Sequence, residues 1–227
     1  MRIQRLLLSL LMLTLLTTAW APWAAGAAAA QQNNQCFAET GQCVGGRFLE
    51  YWRSQGLDLG EQGVSQRESL ALFGYPLSPE FTQTLEDGQR YTVQYFERAR
   101  FELHPENTAP YDVLLGQFGR RILATVPDAP TAPATPSTRQ GYTHVRETGH
   151  NIAPDFSLFW RRNGGLAVFG YPLSEEFEQK LEDGKTYTVQ YFERARFEFH
   201  PENAGTEFVV LLGLMGREVL TGGGWYR

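Results

Sequence analysis

Twelve consecutive residues, Tyr-Thr-Val-Gln-Tyr-Phe-Glu-Arg-Ala-Arg-Phe-Glu, fill positions 91–102 and return unchanged at 187–198. Around them, 29 of the 35 positions in 73–107 are identical to those in 169–203. A chain with this much internal identity is built from two copies of one supersecondary unit. The likeness continues upstream: Glu39-Thr40-Gly41 answers Glu147-Thr148-Gly149, and Phe48, Tyr51 and Trp52 answer Phe156, Phe159 and Trp160. The offset there is larger by twelve residues, so the first copy carries an insertion within 56–69. That segment is polar and Gly-rich and reads as a surface loop.

The copies define module 1 over residues 36–124 and module 2 over 141–222, joined by a Pro/Ala/Thr-rich linker at 125–140. Pro127, Pro130, Pro133 and Pro136 recur every third residue. This spacing favours extended polyproline geometry and predicts a semi-rigid spacer between two small beads.

Within a module, Phe156, Phe159 and Trp160 fall on one face of a short helix, with Asp155 as its expected cap and Asn163-Gly164-Gly165 as its end. Phe-Gly-Tyr-Pro-Leu-Ser then predicts a tight turn, because Pro fixes its own φ and pushes the preceding Tyr to extended geometry. Glu-Asp-Gly at 86–88 and 182–184 introduces a hairpin. The repeated twelve-mer supplies two strands that turn at Glu97-Arg98. Alternation puts Ala99, Phe101 and Leu103 on the inner face and Arg98, Arg100, Glu102 and His104 on the outer one. Leu114, Leu115, Phe118, Ile122 and Leu123 fit helical spacing, although Gly116 and Gly119 disfavour a helix and can instead mark close packing on the sheet. The expected fold class is α+β: two tandem repeats, each a short helix packed on a small antiparallel β-sheet, with a further short helix after each.

Residues 1–30 have the order of a signal peptide: Arg2 and Arg5, an apolar run over 6–16, then small residues up to Ala30. Eleven apolar residues are too few to span a bilayer, which needs about twenty, so no transmembrane anchor is expected after cleavage. Removing Arg2 and Arg5 from the 20 basic residues leaves 18 against 25 acidic ones, a net charge of −7. Such a balance opposes binding to nucleic acid or anionic lipid. The chain has two cysteines, Cys36 and Cys43, and export predicts that they pair. His144 and Asn151 stand at the matching positions of module 2.

Thr148-Gly149-His150, Phe156, Trp160, Gly164-Gly165-Leu166, Phe169-Gly170-Tyr171-Pro172 and Gln190-Tyr191-Phe192 together resemble the LGFP repeat, and so do Thr40-Gly41, Trp52, Gly74-Tyr75-Pro76 and Gln94-Tyr95-Phe96. The likeness spans about 37–107 and 145–203. The pattern departs from the family in having Phe-Gly-Tyr-Pro for Leu-Gly-x-Pro, Glu-Arg where the family has Gly, and an added apolar stretch after each copy. The resemblance implies a non-catalytic module associated with the bacterial cell envelope. It supplies no catalytic residue to transfer.

The candidate binding face is Arg98, Arg100, Glu102 and His104, with its copy Arg194, Arg196, Glu198 and His200. Paired guanidinium groups beside a carboxylate and an imidazole suit a polar or anionic ligand, while a solvated strand face with cross-strand ion pairs is the competing explanation. Tyr75 and Tyr171, in the Pro turn, are candidates for stacking on a sugar ring, whereas Trp52 and Trp160 fit the core. Glu102 with Glu106, or Glu193 with Glu198, would be the carboxylates of a small glycosidase-like hydrolase. Ser78 and Ser174 lack a nucleophile elbow, and His spacing within a module suits no metal. The expectation is a secreted, non-catalytic protein without cofactor or metal, binding a cell-envelope polymer or a surface protein. A hydrolase and a structural spacer are the alternatives.

Overall fold

The computed structural model of the protein describes residues 34–222, so the signal peptide expected over 1–30 lies outside the described residues. The fold class is α+β, with two similar halves. Module 1 runs β1 (Asn34–Phe37), β2 (Gln42–Gly45), α1 (Gly46–Ser54), α2 (Gln66–Phe73), β3 (Phe81–Thr84), β4 (Arg90–Tyr95), β5 (Arg100–Leu103), β6 (Val113–Leu115) and α3 (Phe118–Leu123). Module 2 repeats the order with β7 (Thr143–Val145), β8 (His150–Ile152), α4 (Pro154–Arg162), α5 (Gly165–Phe169), β9 (Phe177–Lys180), β10 (Thr186–Tyr191), β11 (Arg196–Phe199), β12 (Val210–Leu212) and α6 (Met215–Gly222). Each module holds an antiparallel hairpin and a four-stranded antiparallel meander, β3-β4-β5-β6 or β9-β10-β11-β12.

The aromatic content of the repeat explains the core. Phe101 is fully buried, with the rings of Phe48, Tyr51, Phe73 and Phe96 at 5.8, 5.2, 4.7 and 4.2 Å. Phe197 has the same cage of Phe156, Phe159, Phe169 and Phe192 at 6.0, 5.0, 4.8 and 4.2 Å. Most of these contacts are edge-on, the arrangement that ring quadrupoles favour. Trp52 is buried in the same core, and the half-buried Trp160 donates its indole N–H to Gly170 O at 3.2 Å.

Two motif residues owe their identity to this packing. Gln94 is fully buried and donates from Nε2 to Cys43 O and Ser78 O, at 2.8 and 2.9 Å. Gln190 does the same to Asn151 O and Ser174 O. The Gln therefore ties the hairpin to the Tyr-Pro-Leu-Ser turn through the sheet. Gly74 has φ +75°, and a Cβ there would lie 2.5 Å from Glu97 Cβ. Only glycine combines that conformation with so close an approach.

Several local expectations change. Helix α4 has Ala153 at its N-cap with no side-chain cap, so Asp155 sits in its first turn instead. The Gly164-Gly165 break does end the first helix, and a second short helix, α5, follows it at once before the Pro turn. The stretch over 113–123 is not one helix: Leu114 and Leu115 belong to strand β6, and the helix starts only at Phe118. Gly116 marks the change, since a Cβ there would meet Glu102 and Arg100 side chains at 2.8 and 3.0 Å.

The two modules form one compact unit. Helices α3 and α6 pack together, and each reaches across to the other module's repeated turn. Arg120 N–H donates to Glu193 O at 3.3 Å, and Arg217 N–H to Glu97 O at 3.2 Å. Their guanidinium groups bind the carboxylates of the same glutamates. A Cβ on Gly119 would lie 1.7 Å from Phe192 O, and one on Gly216 would lie 1.9 Å from Phe96 O. The insertion in module 1 adds a third tie, because Asp58 N–H donates to Asn163 Oδ1 and Arg162 pairs with the Asp58 carboxylate. It is thus a brace between modules, and only in part the surface loop expected, because its last residues open α2 at Gln66, and Glu68 and Ser69 are buried.

The Pro-rich linker does not stand clear as a spacer. Pro130 O accepts from Glu175 N–H, Ala134 N–H donates to Gly149 O, and Thr135 O accepts from Asn151 Nδ2. It lies along module 2.

Candidate functional site

Strand β5 carries Arg100 and Glu102, with His104 just beyond its end, on the face opposite the aromatic core. Alternation predicted that separation correctly, but not the solvent. Arg100 is 1% exposed, and Glu102 and His104 are 8% exposed. The second copy matches, with Arg196 at 1%. The expectation of an outward binding face is therefore corrected. The cause is a covering layer that the strand pattern cannot show. The chain crosses over Arg100 at Gly116, and Phe118 of α3 lies 5.4 Å from the guanidinium.

Under that cover the charges bind one another. Arg100 pairs with Glu102 at 2.6 Å and Glu86 at 2.8 Å. His104 lies between Glu106 at 2.8 Å and Glu102 at 3.5 Å, with the Tyr91 ring 4.1 Å away. In module 2, His200 lies between Glu202 and Glu198 against Tyr187. Burial works against the charge on Arg100, but the Glu102 and Glu86 carboxylates and Tyr95 outweigh it, and the guanidinium is held above its ordinary pKa.

Arg98 and Arg194 lie in the repeated turn rather than on the strand face. Arg98 donates to Leu70 O and, across the module boundary, to Leu212 O. Arg194 donates to Leu166 O. The glutamates beside them hold the Pro turn, since Tyr75 N–H and Tyr171 N–H each donate to the adjoining Glu carboxylate at 3.2 Å. Ser78 and Ser174 are fully buried, and each accepts a strand N–H. Both tyrosines of the Pro turn are half-buried. Tyr75 O–H donates to Glu39, whereas the Tyr171 hydroxyl makes no hydrogen bond among the described residues.

The copies also diverge at a half-buried position of the last helix. Arg121 of module 1 lies 4.0 Å from Glu86, and its counterpart in module 2 is Glu218. Glu218 meets Arg196 at 2.8 Å, and the Glu182 carboxylate lies 3.6 Å from the same guanidinium. Burial, reinforced by Glu182, pushes the Glu218 carboxyl up to about 7 against the pull of Arg196.

Cys36 and Cys43 form a disulfide between directly opposed residues of β1 and β2. In module 2 the same cross-strand position holds His144 and Asn151, joined at 3.2 Å. Asn151 then fastens the linker, accepting from Ser137 N–H and donating to Thr135 O and Glu175. The missing disulfide was legible in the sequence. Its replacement by a hydrogen-bonded anchor for the linker was not.

Two of the surface grooves adjoin at Val126 and Asp128, which line both. One, about 550 Å³, is bordered by Arg120, Leu123, Thr131, His150 and Leu173. The other, about 640 Å³, is bordered by Ile122, Thr125, Phe177, Lys180 and Glu218. Neither was foreseen, because both depend on where the linker lies. Among the described residues, no three His, Cys, Asp or Glu side chains gather into a metal site, and no helix is long and apolar enough to cross a membrane. No protein-family model, curated protein or solved structure matches the chain.

Proposed function

We propose that this is a secreted, non-catalytic protein of the cell envelope that holds an envelope polymer, with glycan as the favoured component. The supporting observation is the pair of adjoining grooves along Val126 and Asp128. A run of open, mixed polar and apolar surface suits an extended chain better than a small enclosed ligand. The reading agrees with the resemblance to LGFP repeats. It moves the binding surface away from Arg100 and Arg196, whose charges are spent on internal carboxylates.

The test is co-sedimentation of the oxidised chain with purified cell-envelope material, beside the variant Ala124→Trp/Glu178→Trp. These residues are exposed, and each lines one groove. The parent is expected to pellet, and the variant, with an unchanged melting temperature, to stay in solution. If neither pellets, envelope binding is wrong. If both pellet alike, binding survives but lies elsewhere, with Tyr171 and Tyr75 the next residues to replace.

A further inference from the structure

One polar group faces the smaller groove without serving the repeat. His150 is 4% exposed and lines the groove. Neither it nor its partner Glu175 has a counterpart in module 1, where Gln42 and Pro79 stand. The pair therefore belongs to module 2 alone and is not part of the common fold.

Glu175 Oε1 accepts from Asn151 N–H at 2.9 Å and lies 3.1 Å from His150 Nδ1, while Oε2 accepts from Asn151 Nδ2 at 3.2 Å. Facing a carboxylate, Nδ1 is the donor, which fixes the ring and leaves Nε2 as the second polar atom. Among the described residues the His150 ring bonds only through Nδ1. A fixed ring nitrogen without a protein partner, on a side chain that lines the groove, is a directional contact for whatever enters it.

The surrounding charge narrows the choice. Asp128 and Glu175 are acidic, and the guanidinium of Arg120 is bound to Glu193 at 2.9 Å. The groove thus offers an anion no unshared cation. A hydroxyl both donates and accepts, so it meets Nε2 in either protonation state of the ring. The walls at Leu123, Val126 and Leu173 match the C–H faces of a sugar. We propose that this groove is a subsite for a neutral sugar residue, with His150 Nε2 as its hydrogen-bonding anchor. The inference rests on the glycan-binding reading above and specifies its chemistry.

The test is a titration of the full chain, with ¹³C/¹⁵N-labelled histidine, using an N-acetylglucosamine tetramer and, separately, a galacturonic acid tetramer. The His150 ring signals are assigned with His150→Gln. The neutral sugar is expected to shift His150 saturably, with His104 and His200 unmoved. Ala124→Trp narrows the groove while leaving the His150 side chain in place, and should weaken that response by at least about tenfold. The inference falls if His150 does not respond to the neutral sugar, if only the acidic sugar moves it, or if Ala124→Trp leaves the response intact. A chain that still pellets with envelope while His150 stays silent overturns this subsite and spares the wider reading. A chain that does neither overturns both.

Discussion

Replacing Gly119 or Gly216 by alanine tests whether the two modules form one body. At Gly119 the new methyl would lie 1.7 Å from Phe192 O and 3.2 Å from Ala195 O. Both neighbours are backbone, so no rotamer change relieves the clash. Relief to even a tight contact of about 3 Å needs more than an ångström of separation between α3 and the turn. The Arg120 N–H to Glu193 O bond, already 3.3 Å, does not survive that movement. Overpacking costs about 1–3 kcal/mol, and a lost hydrogen bond about 1 kcal/mol more. Each variant should therefore lose about 2–4 kcal/mol, read as a lower urea midpoint of the disulfide-intact chain. Because both glycines hold the same docked arrangement, the double variant should lose less than the sum of the two. Gly222→Ala, where nothing among the described residues lies within 4 Å of the added methyl, is the control and should stay within about 0.5 kcal/mol. Parent-like midpoints for both Gly119→Ala and Gly216→Ala would refute the docking of each helix on the other module's turn.

Arg100→Ala should cost about 3–5 kcal/mol, because it strands Glu102 beneath Phe118 and Gly116; a loss below about 0.5 kcal/mol in chemical denaturation would restore the solvated-face explanation. The Glu218 carboxyl titrates near 7 in the folded chain, against an ordinary value of 4.5. Folding therefore takes up a proton there, and the associated stability is full below about pH 4.5 and lost as the pH rises through about 7. The melting temperature of the parent should fall more between pH 5 and 8 than that of Glu218→Gln, and parallel curves would contradict the assignment. Replacing both Cys36 and Cys43 by serine should cost about 2–3 kcal/mol, measured by the same denaturant midpoint. Module 2 fastens the matching position with Asn151, so Asn151→Ala should destabilise as well and should raise hydrogen exchange at the Ser137 amide, which donates to it.

Much of the secondary structure was legible because it is local. The period-two pattern of the twelve-mer, the Glu-Asp-Gly turns and the Phe/Tyr/Trp helix face each report a few neighbouring residues, and each appears in the fold. The same signals could not say that the Arg100 face is covered, because alternation separates two faces without telling which of them meets water. That was decided by Gly116 and Phe118, which bring a later segment over the strand. Nor could they give the reason for the identical twelve-mer. Its turn receives the other module's helix, so Phe96, Glu97, Phe192 and Glu193 answer to partners about a hundred residues or more away in one direction and about seventy in the other. The candidate site shows the same division. His150 was visible as a residue, but its fixed orientation depends on Glu175, and its groove depends on a linker whose prolines suggested a free spacer. The sequence by itself determined the repeat, its strands and turns, and the aromatic positions of each core, since these follow from local periodicity and from identity between copies. Only the tertiary structure decided which charges are buried, how the modules dock and where a ligand can lie, because those depend on contacts between segments distant along the chain.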